Sequence, residues 1–315
     1  MSLLKELPTS TQGKKGWPWT EETPTMPPLM PNGKPWPKIS IVTPSFNQGE
    51  FIEETIRSVL LQNYPNLEYV IIDGGSTDDS VEIIKKYEPW LTYWVSEKDR
   101  GQSHAINKGF ERCNGDIFNW FCSDDILLPN ALHRISAHLE LDNICWLVSG
   151  ALRLDEHSKK ITKSEIPKSV DVHTFLFWRS KGIAQPSIFW NKKLQDITQK
   201  VREDLHYCMD IDLWFNFYKV TPPEILEEYL SCRRIHTTAK TTPYSGTYDK
   251  FNQELANWLL DNLYHSQNDQ IKIEVINGII LMQNQLNDLK RIKKHIVFGK
   301  LLTLWKTIIN RNFEI

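Results

Sequence analysis

The chain has 315 residues, 40% of them hydrophobic and 24% charged, with a formal net charge of −2. That length admits one large or two smaller globular domains, and the charge excludes the strongly basic surface of a nucleic-acid binder. The five cysteines, Cys113, Cys122, Cys145, Cys208 and Cys232, fall mostly in apolar stretches without Cys-x-x-Cys spacing. They read as reduced, buried thiols of a cytoplasmic protein rather than as a disulfide framework or zinc site. The N-terminus has no long apolar run, so no signal peptide is expected, and no stretch is long and apolar enough to span a membrane. The 12 tryptophans read mostly as core, with some as candidates to stack on a sugar ring.

Residues 1–37 are rich in proline and polar groups and carry Trp17, Trp19 and Trp36. They read as an extended arm, packed on the surface or partly disordered. A short β-rich run over 38–43 follows, closed by Pro44. Between 50 and 62, Phe51, Ile52, Ile56, Val59 and Leu60 recur at helical spacing. The pattern then predicts a strand over 69–72, a helix over 80–87 capped by Asp78 or Asp79, and a strand over 92–95. A helix over 103–112 and a strand over 116–121 come next. Strand–helix alternation of this kind implies βαβ units, hence a mostly parallel sheet with helices on both faces. Beyond 140 the pattern loosens, with strands over 146–150, 187–190 and 225–230, a helix from Asp210, and helix from about Asp249 to the end. The basic tail, Lys290-Arg-Ile-Lys-Lys294 with Ile296, Val297, Leu301, Leu302, Leu304 and Trp305, suits either an anionic membrane surface or docking on the domain.

In doubly wound sheets ligands sit outside the carboxyl ends of the strands. Four polar clusters fall at those ends: Pro44-Ser45-Phe46-Asn47, Asp73-Gly74-Gly75-Ser76, Asp99-Arg100-Gly101-Gln102 and Ser123-Asp124-Asp125. Two adjacent carboxylates at a strand exit repel each other and are commonly held by a cation or by ligand donors. Oxygen ligands suit Mg²⁺ or Mn²⁺, which bridge to phosphate oxygens. The competing reading is a turn in which one Asp caps a helix over 127–139.

Ile39-Ser-Ile-Val-Thr-Pro-Ser-Phe-Asn47, Ile71-Ile-Asp-Gly-Gly-Ser-Thr-Asp-Asp79, Asp99-Arg-Gly-Gln-Ser-His-Ala-Ile-Asn-Lys-Gly109 and Ser123-Asp-Asp125 follow in order. Together they resemble the family 2 glycosyltransferases of the GT-A fold. The likeness is strong over 38–140 and looser to about 242, through Gln185-Pro-Ser187, Met209-Asp-Ile-Asp-Leu-Trp214 and Arg234-Ile-His236. It implies a GT-A (Rossmann-like) domain over 38–245, with a nucleotide-binding half (38–140), an acceptor half (141–245), and a helical extension over 246–315.

The resemblance also implies inverting sugar transfer from a nucleotide sugar, UDP-linked by preference, to a glycan or lipid-linked hydroxyl in cell-surface polysaccharide synthesis. The expected place is the cytoplasm or the inner face of the plasma membrane. Thr43, Pro44, Ser45, Asn47, Asp73, Gly75, Arg100, Gln102 and Asp124 are then the nucleotide-sugar contacts. Asp124, Asp125 and His236 hold Mn²⁺ or Mg²⁺, and Asp210 is the general base. The sequence departs from the family's Asp-x-Asp pattern at Cys122, a poor ligand for a hard cation, and carries Met209 where Glu is common. Both departures keep open a second reading, a catalytically idle module that binds nucleotide or glycan as a scaffold. A glycoside hydrolase built on Asp124 and Asp210 conflicts with the βαβ pattern. A Rossmann dehydrogenase lacks its Gly-x-Gly-x-x-Gly.

Overall fold

The structure, a computed structural model, describes residues 2–9, 13–176, 183–198, 200–240, 246–264 and 271–273. The chain divides into two compact units, Met1–Tyr264 and His265–Ile315. The basic tail read over 290–305 lies outside the described residues, as do positions 181–182 of the loop that precedes Gln185. Among the described residues no helix is long and apolar enough to cross a membrane.

The first unit is built on one mixed sheet. Strands β1 (Ile39–Ser45), β2 (Leu67–Asp73), β3 (Tyr93–Ser96) and β4 (Ile117–Trp120) run parallel in the order β3-β2-β1-β4. The sheet continues through β8 (Ile188–Asn191), β6 (Trp146–Asp155), β9 (Glu224–Ile235) and β5 (Ile126–Leu127), with β7 (Lys160–Lys163) on β6. The expectation of a mostly parallel sheet therefore holds for the first four strands and is corrected beyond them. There β8 is antiparallel to β4 and β6, β5 is antiparallel to β9, and β6 and β9 pair in parallel.

Strands β1, β2 and β4 are buried on both faces because helices cover both, while β3, at the edge, is half-buried. Helix α2 (Ile52–Leu60) turns Ile52, Ile56 and Val59 inward, all fully buried; each such side chain contributes about 1.5–3 kcal/mol. Helices α3 (Ser80–Tyr87) and α4 (Gln102–Phe110) complete the crossovers. A Cβ at Gly109 would stand 2.2 Å from Val42 Cγ1, so glycine lets α4 lie directly on β1. Pro44 does not end β1, as the sequence implied; it pairs in register with Ile72. Its missing N–H leaves no gap on the other side, where β4 pairing stops at Val42–Trp120.

The second half holds an aromatic core. Trp120, Trp146, Trp190 and Trp214 are all buried, and the rings of Trp120 and Trp214 stack with centroids 4.9 Å apart. These four are core, not sugar platforms.

The arm is more integrated than its composition implied. Arg57, buried at 1% exposure, donates to the carbonyls of Pro8, Pro18 and Trp19 and to the Tyr87 hydroxyl. Trp17 donates its indole N–H to the Leu127 carbonyl at 2.7 Å. A buried guanidinium needs acceptors, and the arm's carbonyls supply them.

Candidate active site

The strand exits carry the site. Neither Asp124 nor Asp125 caps a helix: β5 follows them, and the next helix, α5 (Ala131–His138), starts at Asn130. The capping alternative is thereby removed. Asp124 Oδ2 lies 2.9 Å from His236 Nε2, whose Nδ1 pairs with Thr238 Oγ1 at 2.8 Å. Asp125, 4% exposed, accepts the Arg234 backbone N–H at 3.0 Å. Burial, then the adjacent Asp124 charge, push its carboxyl well above the usual carboxylate range.

Long β9 makes this meeting possible. It runs past the sequence-predicted end at 230 to Ile235 and so delivers Arg234 and His236 to the β4 exit. Arg234, 5% exposed, donates through Nε to the Asp124 carbonyl at 2.7 Å, pairs with Glu54 at 3.0 Å, and donates to Glu156. Thr55, on the buried face of α2, donates to the carbonyls of Ser123 and Asp125. The loop between β4 and β5 is thus held from α2 and β9 at once.

The donor set fits a hard divalent cation. One sulfur or oxygen atom from each of Cys122, Asp124 and Asp125 lies within 4.8 Å of the others. Burial and the nearby carboxylates push the Cys122 thiol well up, so it stays a neutral, poor ligand. Asp124 and Asp125, with His236 beside Asp124, form an oxygen-rich set with one imidazole nitrogen that could hold such an ion.

Asp210 is the second residue of α8 (Met209–Val220), after the short helices α6 (Val172–Leu176) and α7 (Lys192–Ile197). Burial pushes its carboxyl up to about 6, against the Ile211 N–H and Arg233, which lower it. Asp210, Lys240, Asp124 and Asp125 all lie near enough to the Cys122 thiol to act on it electrostatically. Lys240 Nζ donates to Gln102 Oε1 at 3.0 Å and, with Ser103, Leu205 and Met209, lines a small pocket beside it.

The other predicted contacts divide. Asn47 and Gly75 shape the rim: Asn47 Oδ1 accepts from the Thr77 N–H at 2.9 Å, and Gly75 sits at φ 83°. Thr43 is fully buried with its hydroxyl against Tyr69 OH, so its side chain is part of the core. Pro44 lies within the buried strand. Ser45 is 3% exposed, and its Oγ has no partner. Asp73, expected to meet the base, is wholly buried. Its oxygens accept from the backbone of Gly75 and Ser76 and from the hydroxyls of Ser76 and Ser96. Oδ2 takes three of these bonds and Oδ1 one, so Asp73 holds the loop while Oδ1 keeps an acceptor site for a further donor. Arg100 is exposed and paired with Glu203 at 2.7 Å.

Residues 40–209 match the family model for glycosyl transferase family 2. The chain belongs to that family. It is 32% identical over 218 residues to an uncharacterized glycosyltransferase of Rickettsia prowazekii (strain Madrid E), covering 65% of this chain and 66% of the relative. It is 41% identical over 86 residues to one of Mycobacterium tuberculosis (strain ATCC 25618 / H37Rv), covering 27% and 32%. The chain thus spans just under two thirds of the length of the Rickettsia relative.

Among solved structures it is similar to S. aureus TarS (TM-score 0.57, 18% identity, 76% of this chain and 43% of TarS). It is also similar to the Pyrobaculum calidifontis mannosyltransferase PcManGT, in complex with GDP-Man and Mn²⁺ (TM-score 0.58, 13% identity, 87% and 80%). These likenesses establish the GT-A fold.

Arg234, Glu54, Glu156 and Thr55 were not read from the sequence as the frame of the Asp124–Asp125 loop. Each acts across 68 residues or more on that loop or on Arg234, and no local spacing marks such a contact.

Proposed function

We propose that this chain is an inverting glycosyltransferase that moves a sugar from a nucleotide-sugar donor, UDP-linked by preference, to a hydroxyl acceptor. The observation that carries the reading is the convergence of Asp124, Asp125 and His236 at the β4 exit, with Asp210 at the start of a helix facing the same centre. TarS 1-349 in complex with UDP-GlcNAc shares the fold (TM-score 0.56, 16% identity, 76% of this chain and 72% of that one), and PcManGT holds GDP-Man and Mn²⁺; both support a nucleotide-sugar donor.

Asp210 takes the proton from the acceptor hydroxyl as that oxygen attacks the anomeric carbon. A carboxyl raised to about 6 is ionised near neutral pH yet basic enough to accept that proton. Attack from the face opposite the leaving group, in one displacement, inverts the configuration. Mn²⁺ or Mg²⁺ bound by Asp124, Asp125 and His236 would offset the charge gathering on the departing diphosphate. Arg234 and Thr55 keep the carboxylate loop in shape for that role. The setting consistent with this chemistry is cytoplasmic synthesis of a cell-surface glycan, with a glycan or lipid-linked acceptor.

Cys122, where a further carboxylate is expected, favours the scaffold reading, and one experiment separates the two. Release of nucleoside diphosphate is measured across UDP-, GDP- and dTDP-sugars with Mn²⁺, for the wild type and Asp210→Asn. Transfer by the wild type, about 10²–10⁴-fold slower in Asp210→Asn with unchanged UDP affinity, supports the base assignment. Near-normal transfer by Asp210→Asn refutes it. Nucleotide binding without turnover of any donor favours the scaffold.

A further inference from the structure

The family match ends at residue 209, one residue before Asp210, and what grips the start of α8 lies well beyond it. Helix α8 has no side-chain cap of its own; Cys208, at the N-cap position, supplies none. An N-terminus normally needs an acceptor for its unpaired N–H groups. Here Asp210 Oδ1 takes the Ile211 N–H at 2.8 Å, and the turn that leads into the helix is gripped by α9 (Tyr248–Tyr264), the last helix of the first unit. One Glu254 carboxylate accepts three consecutive backbone N–H groups, from His206 at 3.0 Å, Tyr207 at 2.7 Å and Cys208 at 2.7 Å. One turn along α9, Trp258, 2% exposed, donates its indole N–H to Asp212 Oδ1 at 2.7 Å.

We propose that Glu254 and Trp258 are positioning residues for Asp210. The two anchors bracket it, one on residues 206–208 and one on residue 212. Fixing the backbone before Asp210 sets where the helix starts, and fixing Asp212 sets its roll about the axis. With both set, the Asp210 side chain has one direction in which to point. Asp212 is committed to the scaffold by the same contacts, since it also accepts from Asn216 and lies 3.5 Å from Arg202. Of two carboxylates two residues apart, α9 ties down one and leaves the other for the site.

The device also acts by charge. Asp210 is faced by Arg233 from β9, Glu254 from α9, the Cys122 thiol from the β4 exit and Lys240 from the segment after β9. Arg233 favours its ionised form, while the Glu254 charge opposes it. Glu254 therefore holds the base in place and at the same time raises its affinity for a proton.

The proposal rests on the reading of Asp210 as base, and its test does not depend on turnover. The full chain is labelled with ¹³Cγ-aspartate, and the Asp210 carboxyl signal is assigned by its loss in Asp210→Asn. Its titration midpoint is then followed in the wild type, Glu254→Gln, Glu254→Ala and Trp258→Phe. Glu254→Gln keeps an acceptor oxygen and removes the charge, so the midpoint should fall by about 0.5–1 pH unit. The acidic limb of kcat for UDP release should fall with it. Glu254→Ala and Trp258→Phe should lower kcat about tenfold or more with little change in UDP affinity, as expected of a misplaced group. A helix that is merely docked would lower thermal stability and leave the midpoint alone. An unchanged midpoint in Glu254→Gln, or full kcat in both Trp258→Phe and Glu254→Ala, overturns the proposal. A moved midpoint with normal transfer by Asp210→Asn overturns the base assignment instead and leaves the coupling of α9 to α8 standing.

Discussion

The loops after β1 and β2 and the loop after β4 sit at the same edge of one sheet but are held in different ways. The first two are largely closed by their own neighbours. Asp73 accepts from Gly75 and Ser76, two and three residues on, and Asn47 meets Ser76 and Thr77 about one βαβ unit away. The β4 exit and the start of α8 are closed from far off, by Arg234 across 109 residues and by Glu254 across 46. A locally closed loop is specified by its motif. A remotely closed one exists only when the whole unit has folded, so its geometry depends on residues that never touch a ligand.

The sharpest way to break that contrast is to remove the remote clasp. Arg234→Met deletes a 5% exposed guanidinium and strands the Glu54 and Glu156 carboxylates it pairs with. Breaking a buried pair from one side costs about 3–5 kcal/mol, to be read from urea unfolding. Arg234→Lys should recover only part of this, because an ammonium cannot reach the Asp124 carbonyl and both carboxylates in one plane. By contrast Arg100→Ala removes an exposed ion pair to Glu203 and should change stability by less than about 1 kcal/mol. Equal effects from the two arginines would end the distinction between remote and surface contacts.

The local loop should yield less. Asp73→Asn preserves shape but replaces one acceptor oxygen by a donor that faces the N–H and O–H groups of Gly75, Ser76 and Ser96. A lost buried acceptor costs about 1–3 kcal/mol. The readout is thermal unfolding together with hydrogen exchange of the Ser76 amide. Unchanged protection of that amide would mean the loop does not need its aspartate, and would return Asp73 to the role of direct nucleotide contact.

This contrast also explains how much could be read in advance. The order β1–β4, the helices between them and the polar strand exits were legible, because each rests on an apolar run or a turn motif a few residues long. Asp124, Asp125, Asp210 and His236 could be named as candidates through the family's spacing, and the structure brings Asp124 and His236 within 2.9 Å of each other. The antiparallel strand β8 was visible as a strand but not in its direction, since pairing sense is decided by partners 70 residues away. How firmly the arm is held was hidden for a related reason. Its prolines and polar groups imply weak burial, yet the buried Arg57 takes its carbonyls as ligands, and composition does not register a demand made by a helix elsewhere. The packing of the Thr43 hydroxyl against that of Tyr69 on the neighbouring strand was hidden in the same way.

A third probe asks whether remote contacts must be polar to matter. His133 on α5 is 7% exposed, packed against Trp36 of the arm and Tyr64, and neither ring nitrogen has a hydrogen-bond partner. Burial alone pushes its pKa from the usual 6.5 down to about 4. The folded protein therefore binds this proton less readily than the unfolded chain. Stability from this group is intact above about pH 6.5 and is lost as the pH falls toward 4. The loss reaches about 2 kcal/mol by pH 5, following the linkage between proton uptake and unfolding. His133→Phe fills the same aromatic niche without a titrating group. The variant should match or exceed the wild type at pH 7.5 and outlast it at pH 5, with the difference widening on the acid side. Parallel losses in both proteins between pH 7.5 and 5 would show that the arm's apolar seat does not feel this proton.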